Sequence, residues 1–355
     1  MNRNACSGTH YGQYLERELG WIGELASPGR FEVREVEPRP PGPEEVQVSV
    51  HACGICGSDV ERFAGIGGQK YPLVLGHEIS GVVAAVGPGV DRVRAGDAVV
   101  VVPVIPCFRC NYCDSGSFSH CVQYSFIGSR RAGGFASVVT IPSQNALLIP
   151  DRVEIETGAL VEPISIGSHA LRRAGLRPSD SVATIGAGNI GLCTGLVARV
   201  LGNTQVRLLD ILNDRVRRAQ ELRFAADIVS DVGLESLADV VIEATRSPRA
   251  IRDAIRMAKP TGRIVCIGKV STKLSFSVEM WDALLRKELS LAGAWLSYSS
   301  PFPGEDWTLA MGVVADQQTA LQRLVTHRIG LKDLQICFES LRKNPGKFGR
   351  VFVCP

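Results

Sequence analysis

No uninterrupted apolar run reaches the roughly 18 residues that a membrane-spanning helix needs, and no block of like basic charge is longer than two residues. A membrane-spanning protein and one that grips a nucleic acid through a basic stripe are therefore not expected. Lys and Arg total 39 against 36 Asp and Glu, and the resulting +3 is spread along the chain. The opening stretch MNRNACSGTHYGQYLERELG has no apolar segment of the kind a secretory leader carries, so a cytoplasmic protein is expected. Internal repeats and low-complexity segments are also missing.

What is present points to a two-domain α/β protein: 355 residues exceed one ordinary core, and 45% hydrophobic residues with 37 Gly suit compact packing. Residues 1–16 show no apolar periodicity and read as a mobile extension. Short apolar runs follow, among them GVVAAVG and DAVVVVP, broken by Gly or Pro about every ten residues, as in an irregular antiparallel β-barrel. From Ser181 strands and helices alternate (SVATIG, NIGLCTGLVARVLG, QVRLLD, NDRVRRAQELR, DVVIEAT), which predicts a doubly wound parallel sheet. Only eight residues separate Ser230 from Asp239, too few for the usual crossover helix, so that helix is expected to be missing. After about residue 298 mixed structure returns, with a helix over 331–343 and a closing strand RVFVC.

Two motifs carry chemistry through spacing alone. Gly186-Ala187-Gly188-Asn189-Ile190-Gly191 follows an apolar strand and opens a helix, and Asp210 ends the next strand. Gly186 permits the turn, Gly188 lets backbone N–H groups reach a pyrophosphate, and Gly191 allows close helix packing, so a dinucleotide is the expected cofactor. A carboxylate at Asp210 accepts from ribose hydroxyls and repels a 2′-phosphate, favouring NAD over NADP. Arg215 and Ile267 join Asn189 and Ile190 as further cofactor-binding candidates. Cys107, Cys110, Cys113 and Cys121 are spaced C-x2-C-x2-C-x7-C, which lets one loop wrap four thiolates around a structural Zn²⁺. An iron–sulfur cluster or scattered thiols are the alternatives, although the spacing departs from common ferredoxin runs.

The segments His51-Ala-Cys53-Gly-Ile-Cys56-Gly-Ser58-Asp59 and Gly76-His77-Glu78 are ordinary separately. Together they resemble the signature of the zinc-dependent medium-chain dehydrogenase/reductase family, and the resemblance runs from about residue 20 to the C-terminus. It implies a GroES-like irregular β-barrel catalytic domain over 17–165 and 299–355 and a Rossmann cofactor domain over 166–298. It also implies a catalytic zinc held by Cys56 and His77, with Glu78 close enough to approach the metal and Cys53 left to packing. Val161-Glu162-Pro163 is similar to the motif of the family's polyol branch, which makes Glu162 the third ligand; a solvated carboxylate at a helix start is the bland alternative. Ser58 would pass the alcohol proton inward, or else be a turn serine. The family's relay histidine is replaced by Glu61.

Cys121 to Phe135, especially from Phe126 onward, and Arg286 to Trp307 are similar to a bacterial polyol-phosphate branch of the family, the galactitol-1-phosphate 5-dehydrogenases, a likeness that tracks either subunit packing or substrate choice. The implied cofactors are two Zn²⁺ per chain and NAD, and the implied partner is a small polyol-like substrate in a homodimer or homotetramer. Dehydrogenases of a cyclitol, an amino-polyol or an amino acid such as threonine share this apparatus, and a non-catalytic zinc-binding interaction protein could keep the fold.

Overall fold

The computed structural model describes residues 19–230 and 233–355, and the expected extension over 1–16 lies outside them. The chain divides into two compact units. One comprises the residues up to Glu162 with Tyr298–Glu305 and Val314–Pro355; the other comprises Pro163–Ser297 and Asp306–Val313.

The first unit is built on antiparallel sheets, because its strands are short, alternate in burial and are separated by Gly and Pro turns. Its main sheet runs Ala146–Leu148, Ala98–Val101, Glu78–Val86, Glu45–Gly54, Arg350–Val353, Val325–Ile329, with Val138–Pro142 also pairing Glu45–Gly54. The last two strands of that order are parallel to each other. A smaller sheet pairs Gly20–Ser27 with Arg30–Val36 and Leu73–Val74. Phe31, Phe63, Phe135 and Phe338 meet in this unit's core, with ring centroids 4.9 Å apart for Phe31 and Phe338 and 5.5 Å for Phe31 and Phe63. Phe338 arrives on the helix Leu334–Lys343, which a 3₁₀ turn over Leu331–Asp333 precedes.

The second unit holds six parallel strands in the order Ala225–Ile228, Val206–Asp210, Val182–Ile185, Ala238–Glu243, Ala258–Cys266, Ser290–Gly293. Val182–Ile185 is buried at every position, as a strand covered on both faces must be. Among the described residues no helix joins Ala225–Ile228 to Ala238–Glu243. The order reverses between Val206–Asp210 and Ala238–Glu243 on either side of Val182–Ile185, which makes the carboxyl end of that strand the switch point.

Asp306–Val313 belongs to the second unit, whereas the sequence assigned all of 299–355 to the catalytic domain. The cause is Asp306, a buried carboxylate that accepts from Ser168 Oγ at 3.0 Å, Arg172 Nε at 3.1 Å and the His169 ring at 2.9 Å. These three residues lie on the helix Val161–Arg173, so the segment is anchored by charge rather than by neighbouring chain.

Candidate metal centre and cofactor loop

The metal donors are assembled by one strand pairing. Gly54 ends Glu45–Gly54 opposite Glu78, the first residue of Glu78–Val86, so Cys56 and His77 are brought together. Gly54 cannot carry a side chain, since a Cβ there would run into Glu78 Oε2 and Arg350 Nη2. Gly76 turns the chain into the strand at φ +92°, and a Cβ would stand 2.6 Å from Cys53 Sγ. Cys53 itself is fully buried packing.

Cys56, His77 and Glu78 each place a donor atom within 4.8 Å of the other two. Asp59 lies below His77, with Oδ1 3.5 Å from Nδ1, and its Oδ2 accepts the Cys56 N–H at 3.0 Å. Burial opposes charge on His77, yet Asp59 and the Cys56 sulfur raise its pKa well above the usual histidine value. Burial would lift the Cys56 thiol, but His77 and the Ser58 hydroxyl bring it down to about 6. Thiolate, imidazole and carboxylate on one buried spot are a donor set that zinc accepts.

Glu162, at the start of the helix Val161–Arg173, stands outside that trio of mutual 4.8 Å contacts but is buried in the same field. Burial raises its carboxyl to about 7, His77 pulls it the other way, and Cys56 and Asp59 add to the rise. Glu78 is engaged elsewhere: Arg350 forms a fully buried ion pair with it. The sequence showed Arg350 only as part of a closing strand, and nothing local marks it as a partner of a residue so far upstream.

Ser58 sits on the helix Gly57–Phe63, where its Oγ accepts from Arg62 Nη1 at 2.9 Å. Glu61, at the place of the relay histidine, is on the same helix. Arg62 was not read from the sequence, although its i,i+4 spacing from Ser58 is the signal that would have found it.

Cys107, Cys110, Cys113 and Cys121 form the second group with all sulfurs within 4.8 Å. Cys110 and Cys113 Sγ are 3.6 Å apart, and the Cys107 N–H points at Cys121 Sγ at 3.2 Å. Backbone N–H groups of Val122 and Cys113 lower the Cys110 thiol to about 6. Four convergent sulfurs without a disulfide fit a closed zinc site.

The glycine loop of the second unit has the geometry its spacing implied. Gly186 adopts φ +102°, and a Cβ there would press on Thr245 Cγ2 at 2.9 Å. Gly188 precedes the helix Asn189–Val200, which Asn189 and Ile190 open. A Cβ on Gly188 would meet nothing nearer than Arg215 Nη1 at 3.8 Å, so space stands open over the loop, while one on Gly191 would collide with the Gly186 carbonyl. Asp210 Oδ2 accepts the Ala187 N–H at 2.9 Å and lies 3.4 Å from Arg215 Nη1; Oδ1 accepts the Leu212 N–H at 3.0 Å. Ile267 follows Ala258–Cys266, and its N–H donates to the Glu243 carbonyl at 2.9 Å. An open loop at a helix N-terminus beside a carboxylate fits a dinucleotide.

Comparison with known proteins gives the family of both units. Residues 42–151 match the family described as alcohol dehydrogenase GroES-like domain, and residues 189–314 match the zinc-binding dehydrogenase family. Galactitol 1-phosphate 5-dehydrogenase of Escherichia coli strain K12 is 35% identical over 316 residues, covering 86% of this chain and 91% of that protein. D-xylulose reductase A of Aspergillus niger is 32% identical over 349 residues, covering 93% of this chain and 95% of that one. The crystal structure of galactitol-1-phosphate dehydrogenase from Escherichia coli superposes with a TM-score of 0.88 at 33% identity, over 94% of this chain and 100% of that chain. With its GroES-like and Rossmann-type units and these relatives along most of its length, the chain belongs to the zinc-dependent medium-chain dehydrogenase/reductase family and is an oxidoreductase.

Proposed function

We propose that this protein is a polyol dehydrogenase that interconverts a secondary alcohol of a polyol or polyol phosphate and the corresponding ketone, using NAD and carrying two Zn²⁺ per chain. The observation that carries the reading is the convergence of Cys56, His77 and Glu78 donor atoms within 4.8 Å beside the buried Glu162. Relatives that act on galactitol 1-phosphate and D-xylulose support the substrate class.

Cys56, His77 and Glu162 are the ligands in this reading. Glu78, although within 4.8 Å of Cys56 and His77, is already balanced by Arg350, whereas a buried carboxyl such as Glu162, raised to about 7, is drawn into its ionised form by a nearby cation. Zinc held there supplies Lewis-acid polarisation of an alcohol oxygen, and NAD supplies the hydride acceptor. Asp59 fixes the His77 ring through Nδ1, leaving the other ring nitrogen for the metal side. Ser58 Oγ takes and releases the hydroxyl proton, and Arg62 holds that oxygen in place. Asp210 receives the adenosine ribose hydroxyls and disfavours a 2′-phosphate.

The test is reduction of NAD and NADP, side by side, by a panel of free and phosphorylated sugar alcohols and cyclitols. Turnover of at least one acyclic polyol or its phosphate with NAD is expected. A protein that turns over only cyclitols, or prefers NADP, does not have the proposed function.

A further inference from the structure

We infer that Arg62 is the anion anchor of the substrate site, and that the substrate carries a phosphate monoester. This rests on the polyol dehydrogenase reading and narrows it to one substrate class. Arg62 Nη1 donates to Ser58 Oγ at 2.9 Å, and the Ser58 hydroxyl in turn bears on the Cys56 sulfur. The guanidinium therefore stands one side chain away from the Cys56 sulfur, against the Ser58 hydroxyl that the proposed function assigns to the substrate's proton.

Arg62 is also under-used there. Its side chain is 22% exposed, and its ion pair with the buried Asp59 Oδ1 is long, 3.8 Å, beyond hydrogen-bond range. Asp59 is already committed to His77 and to the Cys56 N–H. Among the described residues, Nε and Nη2 of Arg62 have no hydrogen-bond acceptor, so part of the guanidinium fork is unspent beside Ser58. A partly exposed guanidinium with donor groups to spare can take an anion, and its planar fork matches two oxygens of a phosphate.

The other arginines near the sequence similarity to polyol-phosphate enzymes are employed otherwise. Arg130 donates to the Tyr124 carbonyl and stacks 3.9 Å from the centroid of the same residue's ring. Arg131 lines a groove of about 330 Å³ with Trp21, Val36 and Arg39, and neither Cys56, Ser58 nor His77 contributes to it. A relative 35% identical acts on a polyol 1-phosphate, which is the class of anion that Arg62 is placed to receive.

Steady-state kinetics on wild type, Arg62→Gln and Arg62→Lys with a free polyol, its phosphate and an aldonate decide the matter. The wild type should favour the phosphate ester over the free polyol by about tenfold or more in kcat/KM, and Arg62→Gln should remove most of that ratio through KM. Loss of the Ser58 contact falls on both substrates and cancels in the ratio. Arg62→Lys, which keeps the charge, should retain part of the preference and serves if the Gln variant does not fold. An unchanged ratio in Arg62→Gln overturns the inference, as does a wild type that prefers the aldonate or the free polyol. Calorimetry with inorganic phosphate, which needs no turnover, should show binding to wild type that Arg62→Gln weakens. If no polyol is oxidised the reading beneath fails, and the calorimetry still decides whether Arg62 holds phosphate.

Discussion

Glu162 and Cys110 distinguish the two proposed zinc sites by a single atom's chemistry. Glu162→Gln replaces a carboxylate that burial already holds near neutrality, and an amide is a poor zinc ligand, so affinity at the open site should fall at least on the order of 10–100-fold. Turnover should be abolished while one zinc per chain remains. Cys110→Ser acts on the closed site, where metal binding is itself folding free energy, on the order of 10 kcal/mol for four-ligand zinc sites. That variant should melt at a lower temperature and lose the zinc that Glu162→Gln keeps. Metal analysis by mass spectrometry, paired with thermal unfolding, checks both. One zinc in each variant but with equal loss of stability would dissolve the distinction. A metal analysis finding both zincs still bound in Glu162→Gln would show that Glu78 or water, not Glu162, completes the open site.

At the scale of elements, the second unit must hold the strand Ala238–Glu243 in register without a crossover helix in the described part of the link leading to it. Asp239 does this. Its Oδ2 accepts the Ser181 N–H at 2.8 Å and Lys259 Nζ at 3.0 Å, tying the beginnings of three adjacent strands. Burial opposes ionisation, but these partners outweigh it and hold the carboxyl at about 2, below its ordinary 3.8. A depressed carboxylate adds stability that is fully present above the ordinary value and is lost as pH falls through the folded value. The side chain is 35% exposed, so screening leaves about 1 kcal/mol rather than the full linkage. Urea unfolding of wild type and Asp239→Asn should therefore differ by about that amount at pH 7 and by roughly half of it at pH 3. A difference that does not change with pH would mean the charge of Asp239 is not what ties the strands.

Elements of this kind divide what the sequence discloses from what it hides. The four cysteines, the glycine loop and the change from short broken strands to alternating strands and helices were legible because their information lies within a few residues. That the link from Ser230 to Asp239 is too short for a crossover helix was legible by counting residues, and none occurs among the described residues. The partners of Glu78 and of His169 were not: Arg350 and Asp306 reach them only through strand pairing and helix packing, and no local spacing announces such contacts. The resemblance supplied Glu162, which composition alone would leave as a helix-start carboxylate. The resemblance also put Glu78 near Cys56 and His77; the pairing of Gly54 with Glu78 that brings it there is not marked by any local spacing.

The whole molecule ends its parallel sheet in two unequal edges. Ala225–Ile228 carries Asp227, paired with Arg207 at 3.0 Å, a charged guard of the kind that discourages edge pairing. Ser290–Gly293 has no such guard: Leu291 is 41% exposed, and Trp295 just beyond it is 56% exposed. The preceding helix Val278–Arg286 adds exposed Val278, Trp281 and Leu285. An apolar, unguarded edge invites the same strand of a second copy across a two-fold axis, since an isologous contact satisfies both edges at once. A homodimer is expected, and a tetramer built from such dimers is equally consistent. Sedimentation at micromolar concentration should show no monomer. Leu291→Lys puts a charge on each side of the two-fold, where like charges meet, and should weaken association by about tenfold or more while leaving the zinc content unchanged. A wild-type monomer at that concentration would remove the strand-to-strand dimer, and an unaltered dimer in Leu291→Lys would move the interface to another face of the molecule.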